Sequence, residues 1–584
     1  MGLLAVASSD ALAATIVVNT TNDELAPGDH ACSLREAIDT VNSPPGNGDC
    51  APPSAATTIA LGSKTYVLTK HPAGPDDNST GDLNISTSVL VTISGAGKSK
   101  TRIDATGLGD RVLDVASGSS LTMQRLTVTG GHAPDGAALG PGGSTPATPG
   151  ASGGGIRNAG ALTLRRVVVS GNSAGDGGAG GIDQAPNPRP GADGGSGGGL
   201  ENDGTALLED SVISRNRAGR GGAGGGDFEV GDQGGDGGSG GGILNTGTTT
   251  LSRSTVSNNF AGSGGRGGSG ITAGAAAPPG GRGGDGGGIV GGYLIATNGT
   301  ITGNIAGRGG DGGQGAPATI GGGDSPGGPG GAGGDGGSAG GYGTIFAGAK
   351  LTNVTISDNA VGGAGSGGAG GQGSGTGPQG AHGANGKPGD GGGLVLFESF
   401  NTLKNSIVAS NVGGECSGAS DGGHNLIFPA DPDCPFGVSA DPLLKAVGGY
   451  GGPTPTMALK PKSPAINKVP AHGAGCPAAD QRGVRRPRGP ACEIGAYEFA
   501  RPTITISSPR AGATYKEGAT VRAKFACQEA GRASLIARCF GTVKNGKLLN
   551  TSKSGKKTFM VTAVDRAGVR LTKTVHYTIK KKQR

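Results

Sequence analysis

The chain has 584 residues with 129 Gly, 35 Pro, no Trp and a formal net charge of +6, so more than one domain is expected. No apolar run reaches the ~18 residues of a membrane span, and 18 Phe and Tyr in all weigh against a sugar groove built on aromatic faces. The net charge hides a division: from Arg501 onward 19 Lys and Arg face three acids (Glu517, Glu529, Asp565), a net of +16, whereas the rest carries 30 bases and 40 acids, a net of −10.

Residues 1–14 read as the end of a secretory signal, with an Ala-Leu-Ala before a cleavage point at Ala13 or Ala14. The strand-like TIVVN would then start the mature chain; the alternative is an ordinary flexible terminus. Residues 15–56 form an N-terminal cap. In CSLREAIDTVN, Ser33 caps a helix and Glu36, three residues on, completes a capping box. Leu34, Ala37, Ile38 and Val41 share one face, suited to cover an open first coil. Asp76, Asp77 and Asp82 then form an acidic cluster, without a matching basic motif nearby in the sequence. SGAGKS at Ser94–Ser99 imitates a phosphate loop but has Thr92 where a glycine belongs and a strand-like TRIDA after it, so nucleotide binding is excluded.

Residues 57–440 carry a repeat. It reads GGGIRNAGALTLRRVVVSGNSAG from Gly153, GGGLENDGTALLEDSVISRNRAG from Gly197 and GGGILNTGTTTLSRSTVSNNFAG from Gly240, and returns in looser form from Gly286, near Gly340 and from Gly391. One unit is too short to bury its own apolar face, so units of this kind are stable when stacked. Aligned on the closing asparagine (Asn172, Asn216, Asn259, Asn304, Asn359, Asn411), one aliphatic column holds Val169, Ile213, Val256, Ile301, Ile356 and Val408. A second holds Leu164, Leu208, Leu251, Ala296, Leu351 and Leu403. A third holds Ile156, Leu200, Ile243, Ile289 and Leu394, with the fifth repeat ambiguous. Between columns the apolar residues alternate, a period of two that means strand. Three short strands per repeat describe one coil of a parallel β-helix. The asparagines fit a bend, since Asn tolerates left-handed backbone angles and stacked amides bond coil to coil.

Gly and Pro together make 28 % of the chain, a share that without a period would signal disorder. Most of the glycine lies between one Asn and the next Gly-Gly-Gly, as insertions at a single corner of successive coils. Gly-Gly-X triplets suit extended three-fold helices, so neighbouring insertions pack as a glycine-rich flange or hang as a mobile fringe. Each insertion holds an Asp before Gly-Gly (Asp193, Asp236, Asp285, Asp335, Asp390). Stacked on one edge they would repel unless a cation intervened; calcium suits such oxygens, but its nonapeptide pattern is missing. Turn formation is the reading taken, and no cofactor is expected.

Eight cysteines fall as four local pairs, Cys32/Cys50, Cys416/Cys434, Cys476/Cys492 and Cys527/Cys539. None has CxxC spacing or histidines at zinc-site distance. They read as four structural disulfides of an exported chain. Residues 501–584 read as short alternating strands between Gly-rich turns, a basic β-sandwich.

CSLREAIDTVN, with the following GDLNISTSVLVTISGAG and TRIDATGLGDRVLDV, closely resembles the CSLREA domain of secreted bacterial β-helix proteins. DPLL from Asp441, GGPTPT from Gly451, SPAI from Ser463, DQRGVRRP from Asp480 and IGAYE from Ile494 resemble the choice-of-anchor Q domain, placed here at residues 441–500. There Asp480 and Arg482 are read as a buried structural pair that hides an open end. The last segment, with its paired cysteines and Ala-x-Asp-x-Ala-Gly turn, resembles bacterial Ig-like repeats. The resemblances imply a pectin-lyase-like all-β fold: a capping helix, a right-handed parallel β-helix and a C-terminal Ig-like sandwich.

The expected function is that of a non-enzymatic secreted or cell-surface protein for adhesion or structural display, with no catalytic residue assigned. Its basic end is suited to anionic wall polymers or extracellular polysaccharide. Nucleic acid is a weaker ligand because no aromatic stacking platform accompanies the charge. The alternative is a polysaccharide lyase or glycoside hydrolase on the β-helix, a fold that hosts such enzymes elsewhere.

Overall fold

The computed structural model describes residues 13–581 apart from 47, 75, 140–144, 182–188, 226–230, 271, 319–322, 345–347, 397–400 and 473–474. The signal reading falls almost wholly outside them; the first strand is Ala14–Val17. The chain forms two compact units, Met1–Ala440 and Asp441–Arg584.

The first unit is a parallel β-helix of three sheets with ten, nine and ten strands among the described residues. A representative coil runs through Ala161–Arg165 in the first sheet and Val168–Ser170 in the third. It then passes through an insertion to Leu200–Asn202 in the second sheet. Each aliphatic column is one ladder. Val169 pairs Ile213, which pairs Val256, then Ile301, Ile356 and Val408. Leu164, Leu208, Leu251, Ala296, Leu351 and Leu403 are paired likewise. In the third column Tyr342 fills the fifth place, between Ile289 and Leu394. It is fully buried, and its hydroxyl donates to the Gly292 carbonyl at 3.2 Å. These columns form one continuous core.

The helix Leu34–Asn42, called α1, begins at the expected box. Ser33 Oγ accepts from Glu36 N (3.1 Å) and Glu36 Oε2 from Ser33 N (2.9 Å). Leu34, Ala37, Ile38 and Val41 join the core of the first coils. Arg35 is fully buried too. Its guanidinium pairs with Asp23 (2.6 Å) and donates to the carbonyls of Asn78, Gly81 and Asp82 at 2.8–3.1 Å. A buried charge persists only when so completely paired, so Arg35 pins the cap to the coil below.

The Gly-Gly-Gly motif has a separate reason at each place. The first glycine is left-handed, with φ of 74°, 67°, 65° and 64° at Gly153, Gly197, Gly240 and Gly286. Ala339 holds that place in the irregular fifth repeat, at φ 58°. At the second, a Cβ on Gly198 would strike the Arg217 backbone, and at the third, one on Gly199 would strike the Asn216 amide. The motif thus clears room for the asparagine column. Those asparagines are not themselves left-handed. The positive φ lies one residue earlier, at Gly171, Arg215, Asn258, Gly303, Asp358 and Ser410, so the bend precedes the ladder.

The insertions leave the corner between the third and second sheets and return to it. Each forms an outgoing and a returning strand of three-residue period, and six insertions stack as two layers. Across the layers Gly219 N donates to Gly195 O, Gly238 N to Gly219 O, Gly262 N to Gly238 O and Gly284 N to Gly262 O, at 2.8–2.9 Å. Within the outgoing layer Gly221 N reaches Ser263 O and Gly264 N reaches Arg308 O; within the returning layer Gly237 N reaches Arg282 O and Gly283 N reaches Asp335 O. In each triplet one glycine donates across, another sideways, and the third residue points outward. This is a polyglycine-II-like lattice, and it is glycine that lets the backbones approach: a Cβ on Gly222 would fall on the Gly178 carbonyl, and one on Gly237 on that of Gly262. In described regions the insertions are therefore a flange.

The lattice ends where the crowding ends. The positions equivalent to Gly175 and Gly178 in the first insertion are Pro134 and Ala137, toward which those glycines point. In the last returning strand His382, Asn385 and Pro388 occupy the sideways-donating places that are Gly330, Gly333 and Gly336 one coil earlier, whose N–H groups reach Ala381, Ala384 and Lys387. No insertion follows to be struck. Asn385 Oδ1 accepts from Gly367 N at 2.9 Å, and Pro388 has no N–H to leave open, a device suited to a finished edge.

In the second unit, Pro502–Ser508 pairs antiparallel with Lys524–Glu529. The strands Thr514–Lys516, Arg570–Lys580, Gly555–Asp565 and Ile536–Gly541 form a second sheet. The two enclose a core around Phe525, Phe559, Val561 and Tyr577, a β-sandwich. Residues 441–500 belong to the same unit. They join it through Arg482 and Glu529 (3.4 Å) and through Lys445 Nζ on the Ala567 carbonyl.

Candidate functional site

The second sheet gives each coil one outward residue directly after its inner aliphatic. In register these are Asn84, Asp114, Arg157 and Glu201, after Leu83, Leu113, Ile156 and Leu200. Arg157 contacts Asp114 (3.2 Å) and Glu201 (3.8 Å), so unlike charges alternate up the sheet. Beside this column Arg111 reaches Asp82 (3.3 Å) and Asp76 (3.7 Å). A cavity of about 380 Å³ opens between Asp76, Asp77, Asn84, Asp114 and Arg157. A recess of about 200 Å³ lies next to it, against Asp76, Thr80, Asp110 and Arg111.

The three acids of the sequence cluster take different places. Asp76 and Asp77 are exposed at the rim, whereas Asp82 is fully buried behind it. Burial pushes the Asp82 carboxyl up to about 8 against the pull of Arg111, and the Glu201 carboxyl up to about 7. Asp110 and Asp114 are also raised by burial. Among the described residues, Asp82 Oδ1 and Arg111 Nε are buried without a hydrogen-bond partner. The sequence shows no basic partner for these acids, and the structure corrects that with Arg111, while Arg157 stands in the neighbouring column. The signal was present: each column member follows a third-column aliphatic by one residue.

The six closing asparagines lie in one buried line. Asn172, Asn216, Asn259, Asn304 and Asn359 each donate Nδ2 to the next Oδ1 at 2.9–3.0 Å. The same oxygens accept the preceding asparagine's backbone N–H at 3.0–3.1 Å. Both bonding positions of each inner amide are thereby used within the protein. The line ends on Glu415, whose carboxylate accepts Asn411 Nδ2 (2.7 Å) and Asn411 N (3.1 Å). A second inner ladder, missed in the sequence, runs Asn158, Asn202, Asn245.

The insertion aspartates separate into two columns. Asp193 and Asp236 stand with Arg282, Asp335 and Lys387; Asp285 and Asp390 stand three residues further on, with Ser196, Ser239 and Ser338. The carboxylates of Asp193, Asp236, Asp285 and Asp335 accept backbone N–H groups of the next coil, as Asp236 does from Arg282 N (2.6 Å) and Asp335 from Lys387 N (2.8 Å). They act between coils rather than within a turn, and interleaved cations relieve the repulsion. Among the described residues no group of three or more His, Cys, Asp or Glu is arranged to hold a metal ion.

The cysteines are joined as Cys32–Cys50, Cys416–Cys434, Cys476–Cys492 and Cys527–Cys539. Asp480 and Arg482 are buried and bonded at 2.9 Å, with the guanidinium 3.7 Å from the Tyr497 ring and donating to Glu498 O (2.6 Å). That arrangement is structural. No described helix is long and apolar enough to cross a membrane. Comparison with protein-family models, with curated proteins and with solved structures finds no match for this chain.

Proposed function

We propose that this protein is a non-enzymatic extracellular scaffold for adhesion or display, held to an anionic surface by its basic end. The observation that carries it is the flange. A large part of the chain builds a lattice of backbone hydrogen bonds that presents only the outward residue of each triplet, an outlay suited to shape and rigidity. Four disulfides favour an oxidising compartment. The CSLREA-like cap, the choice-of-anchor-Q-like segment and the Ig-like sandwich are consistent with a secreted bacterial surface protein. Lys544, Lys547, Lys553 and Lys556 are exposed on the sandwich, and their field is screened over ~8 Å at physiological ionic strength. The test is retention on the producing cells. The full chain should wash off as salt rises, and a variant with those four lysines changed to Gln should wash off at lower salt. Equal retention of both at every salt concentration would refute the electrostatic hold.

One observation favours a second reading, a polysaccharide lyase or hydrolase. It is the cavity over Asp76, Asp114 and Arg157, backed by the unpartnered polar atoms of Asp82 and Arg111. Arginines can hold a sugar carboxylate, and a carboxyl raised by burial is a proton donor at neutral pH. A depolymerase screen on acidic polysaccharides decides: cleavage lost in Arg157→Gln would establish the enzyme and displace the scaffold reading.

A further inference from the structure

The second unit divides its cations into two groups. Arg482 and Arg486 are buried and neutralised. Arg486 donates to the carbonyls of Glu493 (2.9 Å) and Gly495 (2.7 Å) and lies 3.6 Å from Glu498. Lys462, Lys468, Arg488 and Arg501 are instead exposed, and none takes part in an ion pair among the described residues. These four converge on one cavity of about 750 Å³, within the usual size range of small-molecule sites.

The cavity is walled by chain held in place. Lys462, Asn467 and Ala530, all on its lining, adopt φ of 75°, 56° and 46°, conformations that non-glycine residues keep only where surrounding structure imposes them. Asn467 Oδ1 accepts from Ala491 N at 3.3 Å, and a Cβ on Gly489 would run into that amide. The cation-bearing loops are therefore braced before any ligand arrives. One acid, Glu493, lines the cavity, and it is buried. Burial and the neighbouring Glu498 raise its carboxyl above the usual range, so it offers the exposed cations little countercharge. Phe499, half-buried, supplies an apolar patch.

We propose that this cavity binds an anionic glycan, a saccharide bearing carboxylate or phosphate groups, through Lys462, Lys468, Arg488 and Arg501. The guanidinium forks of Arg488 and Arg501 match either anion in a two-point contact, and the sugar face meets Phe499. A single aromatic does not make the run of stacking platforms that single-stranded nucleic acid requires. This rests on the reading of the basic end as the part that holds the protein to its surface, and replaces a diffuse field with a defined site.

The test is calorimetric titration of the full chain at physiological salt with three probes: a uronic-acid tetrasaccharide, a glycerol-phosphate oligomer and a neutral glucan. One or both anionic probes should bind and the glucan should not; which one binds identifies the anion. The variant Arg488→Gln/Arg501→Gln should weaken binding about tenfold or more, as loss of charge-assisted bonds implies. The milder Lys462→Gln/Lys468→Gln should weaken it in the same direction, with melting temperatures confirming that both fold. Changing Lys544, Lys547, Lys553 and Lys556 to Gln should leave this affinity within about twofold, since those charges act only through a screened field. Unchanged binding in both cavity variants, equal binding of the glucan, or no binding of either anion overturns the site. If cell retention still responds to salt in those cases, the electrostatic hold survives and only the cavity is refuted.

Discussion

At the scale of the residue, the asparagine line joins sequence to stability most directly. Asn259 Oδ1 accepts two donors from Asn216, while its own Nδ2 donates to Asn304 and to the Ile213 carbonyl. Asn259→Ala strands these buried groups, at about 1–3 kcal/mol for each left unsatisfied. A denaturant melt should show a loss of at least that size; an unchanged midpoint would mean the ladder is ornamental. Glu415, at the end of the line, responds to pH. Burial raises its folded value from 4.5 to about 7, against the hydrogen bonds from Asn411. Its contribution is therefore complete below about pH 4.5 and is lost as pH rises through 7. Melts of the protein and of Glu415→Gln across pH 4 to 8 should converge toward acid and diverge toward neutrality, the variant being flatter. Parallel curves would contradict the assignment.

At the scale of the element, the flange follows from the spacing of glycine. The sequence alone is compatible with either a packed layer or a mobile fringe. The period of three was visible, but which N–H met which carbonyl depends on the axial rise of the coils, which no single insertion encodes. Once two layers are stacked, one rule places glycine wherever a neighbour's backbone lies under the Cβ position, and releases the requirement at the outermost strands. Two substitutions test it. Gly330→His places a side chain against the Gly368 carbonyl and should lower the melting temperature and raise hydrogen exchange in the neighbouring glycine amides. His382→Gly, at the matching place one coil later, should leave both nearly unchanged. Equal effects would show that the ordered edge is not what ends the lattice.

At the scale of the whole molecule, the units are stapled locally. The disulfides close separations of 18, 18, 16 and 12 residues, and a loop near 15 residues gains about 3 kcal/mol from closure in the chain-entropy account. Peptide mapping should recover these four pairs. Replacing Cys32 and Cys50 together by Ser should cost ~2–4 kcal/mol, felt first as loss of protection in α1, because Cys32 borders its cap. No destabilisation would mean the buried Arg35 network alone secures the cap.

The sequence by itself determined the solenoid. A repeat that cannot bury its own apolar face must stack, and alternation at period two fixes which residues of Val169, Leu164 and Ile156 type turn inward. It also determined α1, since capping box and apolar face are local. What only the tertiary structure decided are the relations between coils. Tyr342 entered the third column, where its hydroxyl reaches the Gly292 carbonyl of the preceding coil. Arg111 and Arg157 met acids from other repeats because outward residues become neighbours only through the stacking register. Each of these depends on distances across roughly 5 Å of strand spacing between segments some forty residues apart, and those distances exist only after the coils have closed.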